Sequence, residues 1–277
     1  ANLQKLADAA EAAKRDGVSI LIAPELALTG YPPEDLLLRP ALMDKLNASE
    51  SRLCEISRGI TLCVGAPSEL ARDSSTWDLG NNGARLVSLR NSLLVYKDGV
   101  RLTAYHKQSL PNYQVFDERR YFVAGSVPQV CEIDGVRIGL LVCEDVWVPE
   151  IVEATCKLGV DFIVVVNASP FAENKVFERH EHLTHRASTN QVPIAYVNLV
   201  GGQDELIFDG GSFAVNQEGQ ILAQANFFAE EVLDIVWDGA DLTGQRLEDV
   251  PLLEWMLYRA LVTGVRDYFA KTGFKKA

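Results

Sequence analysis

The chain has 277 residues, 48% of them apolar and 23% charged, with a formal net charge of −12. That composition is ordinary for a soluble globular protein, and the length allows one large domain or two small ones. The acidity leaves no excess of Lys and Arg to neutralise phosphates, which argues against nucleic acid as a partner. No apolar run reaches the roughly 18–20 residues of a membrane span.

The first predicted element is an amphipathic helix over 2–16, with Leu3, Leu6, Ala10 and Ala13 on one face and Gly17 as its stop. An α/β domain ordinarily places a strand before such a helix. The chain opens without Met, so an N-terminal strand is expected to be missing. VSILIAPE (18–25) is a continuous apolar run suited to a strand covered on both faces. A Pro-rich loop over 29–40 leads to a helix over 40–57 and a second apolar strand over 59–69. Residues 81–107 alternate and turn at Lys97-Asp98-Gly99, and residues 129–145 turn at Asp134-Gly135; both read as hairpins. A long polar and aromatic loop, 108–122, separates them. A helix at about 148–158, a buried strand over 161–169, a helix over roughly 174–190 and a strand over 192–201 follow. A hairpin over 210–225 through Glu218-Gly219 and a strand over 231–237 complete the pattern. Buried strands alternating with helices, with hairpins between them, indicate one α/β domain with mixed sheets. DGADLTGQRLEDVP (238–251) has a linker composition, and 255–274 reads as an amphipathic helix ending at Gly273.

Five cysteines (54, 63, 131, 143 and 156) make an odd count without a CxxC pair. A disulfide framework is not expected, and a reducing cytoplasm is the natural setting. Four of them sit in apolar contexts as packing residues. Cys143 differs, because LLVCEDVW (140–147) ends an apolar strand on a thiol and crowds it with two acids. Such acids raise a thiol's pKa unless something compensates. Glu25 and Lys107 also stand at the ends of expected strands. Chemistry gathers at strand ends in parallel sheets, so a carboxylate, an ammonium and a thiol are available to one site. Lys107 would favour the thiolate, and Glu25 would carry the thiol proton to a leaving amine. The backbone N–H after Cys143, with Lys107, would stabilise an oxyanion. Taken singly, Cys143 reads equally as a packing residue, and a Glu or Lys at a strand end is usually just a solvated charge.

Two other signals carry little. His180, His182 and His185 lie in HEHLTH, where only the last two share a helix face, and the pattern is not HExxH. The glycine pairs 201–202 and 210–211 match neither GxGxxG nor a P-loop.

PELALTGYPPEDLL (24–37), YHKQSLPNYQVFDERRYF (105–122), LVCEDVW (141–147), NASPF (167–171) and GGQDELIFDGGS (201–212) closely resemble the amidase domain of glutamine-dependent NAD synthetases, within the nitrilase or carbon–nitrogen hydrolase superfamily. The resemblance covers almost the whole chain. It implies a nitrilase-like α-β-β-α sandwich with two mixed sheets. It places the superfamily's Glu–Lys–Cys triad on Glu25, Lys107 and Cys143, and its supporting second glutamate on Glu118. It suggests a glutamine pocket of Tyr113, Glu144, Trp147, Ser169, Lys175 and Tyr31. Lys175 stands where some members have Arg, and a Lys lacks the bidentate grip on a carboxylate. Glu144 would meet the α-ammonium of the substrate.

The implied activity is hydrolysis of L-glutamine through a Cys143 thioester, supplying ammonia for the amidation of deamido-NAD. ATP, Mg and deamido-NAD belong to a synthetase domain expected beyond this chain, acting in cis or in trans; no cofactor is expected in the chain itself. Residues 1–238 are then the amidohydrolase domain, and 239–277 are the linker and helix leading to the synthetase domain. Homo-oligomers are implied as well. The alternatives are a carbon–nitrogen hydrolase acting on another amide or a nitrile, and a non-catalytic assembly module.

Overall fold

The computed structural model describes residues 1–69, 89–244 and 249–276, so residues 81–88 of the expected first hairpin lie outside the described residues. The chain divides into two compact units. The first comprises 1–21 and 26–127, and the second comprises 22–25 and 128–277.

In the first unit, helix α1 (Asn2–Arg15) buries Leu6, Ala7, Ala10 and Ala13 along one stripe, with Lys14 and Arg15 in its last turn, where the helix dipole favours cations. Strand β1 is short (Ile20–Ile22). The expected strand ran to Glu25, but Pro24 has no N–H to give to a ladder; the strand ends at Ile22 and a turn begins at Glu25. Helix α2 (Pro40–Ile56) begins on a proline, whose fixed φ suits the first helical position. Strands β2 (Thr61–Glu69), β3 (Leu89–Lys97) and β4 (Val100–His106) complete a four-stranded sheet of order β1-β2-β3-β4. The β3–β4 turn puts Asp98 and Gly99 at φ +50° and +87°, the paired left-handed conformation that Asp-Gly favours.

The second unit holds a six-stranded sheet of order β12-β11-β8-β7-β6-β5. Its strands are β5 (Gln129–Ile133), β6 (Val136–Val142), β7 (Phe162–Asn167), β8 (Ile194–Asn198), β11 (Phe213–Val215) and β12 (Ile221–Gln224). The β5–β6 hairpin repeats the Asp-Gly turn at Asp134 and Gly135. β6, β7 and β8 are parallel, and helices α3 (Pro149–Cys156) and α4 (Lys175–Asn190) make the crossovers between them. β7 is buried at every residue, as a parallel strand covered on both faces must be. The expected strand 192–201 divides: after β8, residues turn into a separate ribbon of β9 (Val200–Gln203) and β10 (Leu206–Asp209). The expected strand 231–237 shrinks to β13 (Val236–Trp237), paired with β14 (Leu242–Thr243); Val232 and Val236 are exposed.

Helix α5 (Leu253–Thr272) lies on the β9–β10 ribbon, burying Met256, Ala260 and Thr263. Asp267 accepts the Gly202 N–H (2.7 Å), and Lys271 reaches the Gly202 carbonyl. None of the five cysteines forms a disulfide, and Cys63, Cys131 and Cys143 are buried. The α/β fold with two principal mixed sheets is therefore the one expected.

The three histidines of α4 have separate surroundings. His180 packs edge-on to Phe213 (4.8 Å) beside Gln224, His182 lies on Trp147 (4.3 Å), and His185 lies 3.5 Å from Thr189. Burial pushes the His180 pKa down from 6.5 to about 4, helped by Arg179. The unfolded chain therefore binds the extra proton between those values, so stability is full above pH 6.5 and falls as the pH drops toward 4. His180→Gln should flatten this slope, narrowing the gap in Tm between pH 7 and pH 5. A second test concerns the core: Leu141→Ala, at a fully buried position of β6, should cost about 2–5 kcal/mol in denaturant melts. Leu102→Ala on the exposed face of β4 should stay within about 0.5 kcal/mol.

Candidate active site

The register of the parallel strands sets out one row of chain ends. Val142 pairs with Val166, Val166 with Val197, and Asn167 with Asn198. Cys143, Asn167 and Asn198 thus leave the sheet side by side, at strand spacings of about 4.8 Å. This C-terminal edge is where open α/β sheets place their ligands.

Cys143 opens a 3-10 turn, Cys143–Trp147, with φ +46°. A non-glycine residue in the left-handed region costs on the order of 1–3 kcal/mol and persists only where its surroundings enforce it. Here Asp145, itself fully buried, accepts the Val142 N–H through Oδ2 (3.1 Å) and closes the elbow. Arg186 of α4 holds the far end, donating to the carbonyls of Val146 (3.2 Å) and Trp147 (3.0 Å). The second acid after the thiol is therefore a brace for the strand-to-turn elbow, a role that the sequence reading did not assign.

Glu25 belongs to the same unit and is completely buried. Its Oε2 accepts the N–H of Ala168, one residue beyond the end of β7, at 2.8 Å. Ser169 follows, buried, with its N–H on the side chain of Asn198 (2.9 Å). Lys175, at the start of α4, places its ammonium 4.2 Å from the centre of the Trp147 ring and pairs with Glu178 (3.0 Å). The proposed pocket residues Trp147 and Lys175 thus meet as a cation–π pair. Glu144, half-buried, sits in the chain between Cys143 and the brace.

Beneath this row lies a buried ion pair that the sequence reading missed. Arg179 of α4 and Asp209 of β10 are 2% and 0% exposed, and Arg179 donates to Asp209 Oδ2. Tyr196 lies close by. Burial lifts its phenol pKa well above the usual range, against the pull of the Arg179 guanidinium, and Cys143 contributes to the rise. Its hydroxyl has no hydrogen-bond partner of good geometry among the described residues. The available sequence signal was an Arg on the apolar face of a helix that also buries Val176, Leu183 and Ala187.

The first unit carries the other predicted residues. Lys107 follows β4 directly and is buried; its Nζ lies 2.7 Å from Glu118 Oε1, and the Tyr31 hydroxyl donates to the same oxygen (2.8 Å). Glu118 is buried at the start of a short 3-10 turn, Glu118–Arg120. An opposite charge at this distance favours the ionised forms of both groups. Tyr113 is half-exposed and meets Phe116 edge-on (5.5 Å); Phe116 in turn meets Tyr31 (6.4 Å). A cavity lined by Tyr31, Pro32, Glu34, Asp117, Glu118 and Tyr121 lies beside the pair. The structure thus groups Glu25, Cys143, Glu144, Trp147, Ser169 and Lys175 in one unit, and Tyr31, Lys107, Tyr113 and Glu118 in the other.

Known proteins place this arrangement. The carbon–nitrogen hydrolase family model matches residues 1–244. The glutamine-dependent NAD(+) synthetase of Acinetobacter baylyi is 38% identical over 275 residues, 99% of this chain and 48% of that protein. A solved glutamine-dependent NAD+ synthetase from Acinetobacter baumannii, in complex with ADP, superposes with a TM-score of 0.89 at 36% identity, over 99% of this chain and 49% of that one. The chain spans about half the length of the curated relatives it matches. An amidase from Nesterenkonia sp. superposes with a TM-score of 0.68 at 31% identity, over 81% of this chain and 80% of that one. A variant of that amidase carries the acetamide moiety of fluoroacetamide on its active-site cysteine. A buried thiol on a strained strand-to-turn elbow, a buried glutamate beside the next strand end, and a family model spanning nearly nine-tenths of the sequence lead to one conclusion: the chain belongs to the carbon–nitrogen hydrolase family.

Proposed function

We propose that the chain is the glutamine amidohydrolase part of a glutamine-dependent NAD synthetase. The carrying observation is the match of essentially the whole chain to proteins of that name. Cys143, Glu25 and Lys107 act as nucleophile, proton carrier and cation. The Cys143 thiolate attacks the side-chain amide carbon of L-glutamine, and the C–N bond breaks. Glu25 delivers the thiol proton to the leaving nitrogen, releasing ammonia and leaving a γ-glutamyl thioester. Water, deprotonated toward Glu25, then hydrolyses the thioester to glutamate and regenerates the thiol. The backbone N–H after Cys143 and the Lys107 ammonium stabilise the tetrahedral oxyanion. Glu118, with Tyr31, holds the Lys107 ammonium in place; this role is supported by their shared buried hydrogen bonds.

Tyr113, Glu144, Trp147, Ser169 and Lys175 bind glutamine, with Glu144 receiving the α-ammonium. Trp147 already accepts one ammonium on its face, that of Lys175. That pairing favours Lys175 as an orienting residue for Trp147 as well as a point charge for the substrate carboxylate.

Residues 1–238 form the amidohydrolase part, and 239–277 lead to a synthetase domain in cis or in trans. That domain uses ATP and Mg to amidate deamido-NAD with the ammonia released here. The cytoplasm and a homo-oligomeric state fit this role. Among the described residues, no helix is long and apolar enough to cross a membrane. The Nesterenkonia amidase supports a second reading, hydrolysis of a smaller amide by the same thiol chemistry.

The protein incubated with L-glutamine should release glutamate and ammonia in equal amounts, and Cys143→Ala should lower the rate by at least about 10³-fold. Turnover of acetamide or butyramide with glutamine untouched would replace the glutaminase reading with the simple amidase. Glu118→Ala leaves the buried Lys107 ammonium without its carboxylate and should destabilise the fold by about 3–5 kcal/mol, read as a drop in Tm.

A further inference from the structure

The amide of Ala168 is held from both sides, and the side chain of Asn198 supplies one of the two holds. Leu199 N–H donates to the Asn167 carbonyl (3.1 Å), which fixes the peptide plane that carries the Ala168 N–H. On the far side of Ala168, Asn198 bonds both main-chain groups of Ser169. Its Oδ1 accepts the Ser169 N–H (2.9 Å), and its Nδ2 lies 3.4 Å from the Ser169 carbonyl. The same Nδ2 reaches the Gly210 carbonyl (3.1 Å) and Asp209 Oδ1 (3.3 Å). A donor on one side and three acceptors sharing the two N–H groups on the other fix the orientation of the amide, with its oxygen toward the Ser169 N–H. Asp209 is in turn fixed by the buried Arg179. The chain of contacts runs Arg179, Asp209, Asn198, Ser169, Ala168, Glu25, every member lying in one unit. Arg179, Asp209, Asn198 and Glu25 act through side chains, while Ser169 and Ala168 act through the backbone, Ala168 contributing the N–H on Glu25 Oε2.

We propose that Asn198 is a positioning residue for the carboxylate of Glu25. The proposal rests on the reading of Glu25 as the proton carrier. Asn198 does not meet Glu25 itself. It sets the direction of a turn whose N–H grips that carboxylate, and Arg179 and Asp209 set Asn198. A carboxylate that must accept a proton from a thiol and return it to a departing nitrogen tolerates little displacement: a misplacement of about 1 Å costs on the order of 10²-fold in rate. The buried polar network below the strand ends therefore serves the orientation of the base, beyond satisfying its own hydrogen bonds.

The experiment is a double-mutant cycle between Asn198→Ala and Glu25→Gln, run on glutamine or on whichever amide of the substrate panel the parent turns over. In the parent, Asn198→Ala should lower kcat by about 10- to 100-fold with KM changed by less than about 3-fold. In the Glu25→Gln background, the same substitution should cost less than about 3-fold, because the group it positions no longer carries the proton. Equal losses in both backgrounds would show that Asn198 acts elsewhere and would overturn the proposal. So would a cooperatively folded Asn198→Ala protein with kcat within about 3-fold of the parent. If Asn198→Ala does not fold, Asn198→Ser takes its place, since it keeps a polar side chain and puts no second carboxylate beside Asp209. Its smaller loss of kcat must likewise vanish in the Glu25→Gln background, and a loss that persists there overturns the proposal. A parent active on other amides with glutamine untouched refutes the glutaminase reading and leaves this cycle intact. A parent that turns over no amide removes both.

Discussion

The common register of β6, β7 and β8 is the constraint from which the candidate site follows. Parallel strands paired as Val142–Val166–Val197 deliver Cys143, Asn167 and Asn198 to one row, and none of the three can slip by one residue without turning its strand inside out. The thiol, the loop that holds the Glu25 carboxylate, and the asparagine that fixes that loop are therefore placed by backbone hydrogen bonds before any side chain contributes. Of these strands, β7 is buried along its whole length and β6 from Ile138 to Val142. A rigid, dry sheet edge is what a reaction requiring fixed proton transfers needs beneath it.

Charge is taken into the interior in compensated form. Lys107 and Glu118 form one buried pair, and Arg179 and Asp209 form another. Replacing such pairs by apolar residues is often neutral or stabilising, so their stability contribution does not account for them. Each pair is better understood through its neighbours. The first sets an ammonium next to a tyrosine hydroxyl on a shared carboxylate oxygen. The second ends a chain of hydrogen bonds that reaches the turn on Glu25. The left-handed Cys143 belongs to the same economy of strain, because Asp145 and Arg186 hold a turn that the backbone alone would relax.

Much of the fold was legible from local rules. Asp98-Gly99 and Asp134-Gly135 announced their hairpins through the left-handed conformation that such pairs adopt. The helices 2–15, 40–56 and 175–190 followed from apolar periodicity, within two residues of the observed ends. The misreadings share a cause. Runs such as 18–25, 192–201 and 231–237 are mostly apolar, and an apolar run does not say how many of its residues find a partner strand. In the first, Pro24 ended the pairing early; in the second, the chain left one sheet and entered a two-stranded ribbon.

By itself the sequence determined the class of chemistry. A thiol after an apolar strand, in company with Glu25, Lys107 and Glu118 inside long family-like motifs, pointed to the carbon–nitrogen hydrolase family, because motif identity survives in one dimension. Only tertiary structure decided which second residues serve them. Asp145 as the brace of the elbow, Arg179 and Asp209 as a buried pair, and Asn198 as the clamp on Ser169 are contacts across 3 to 30 residues of chain. An Asn at a strand end or an Arg in a helix has the same local signature whether it faces water or holds a loop. The difference lies in what the parallel register and the crossover helix bring against it, and that is a property of the folded chain.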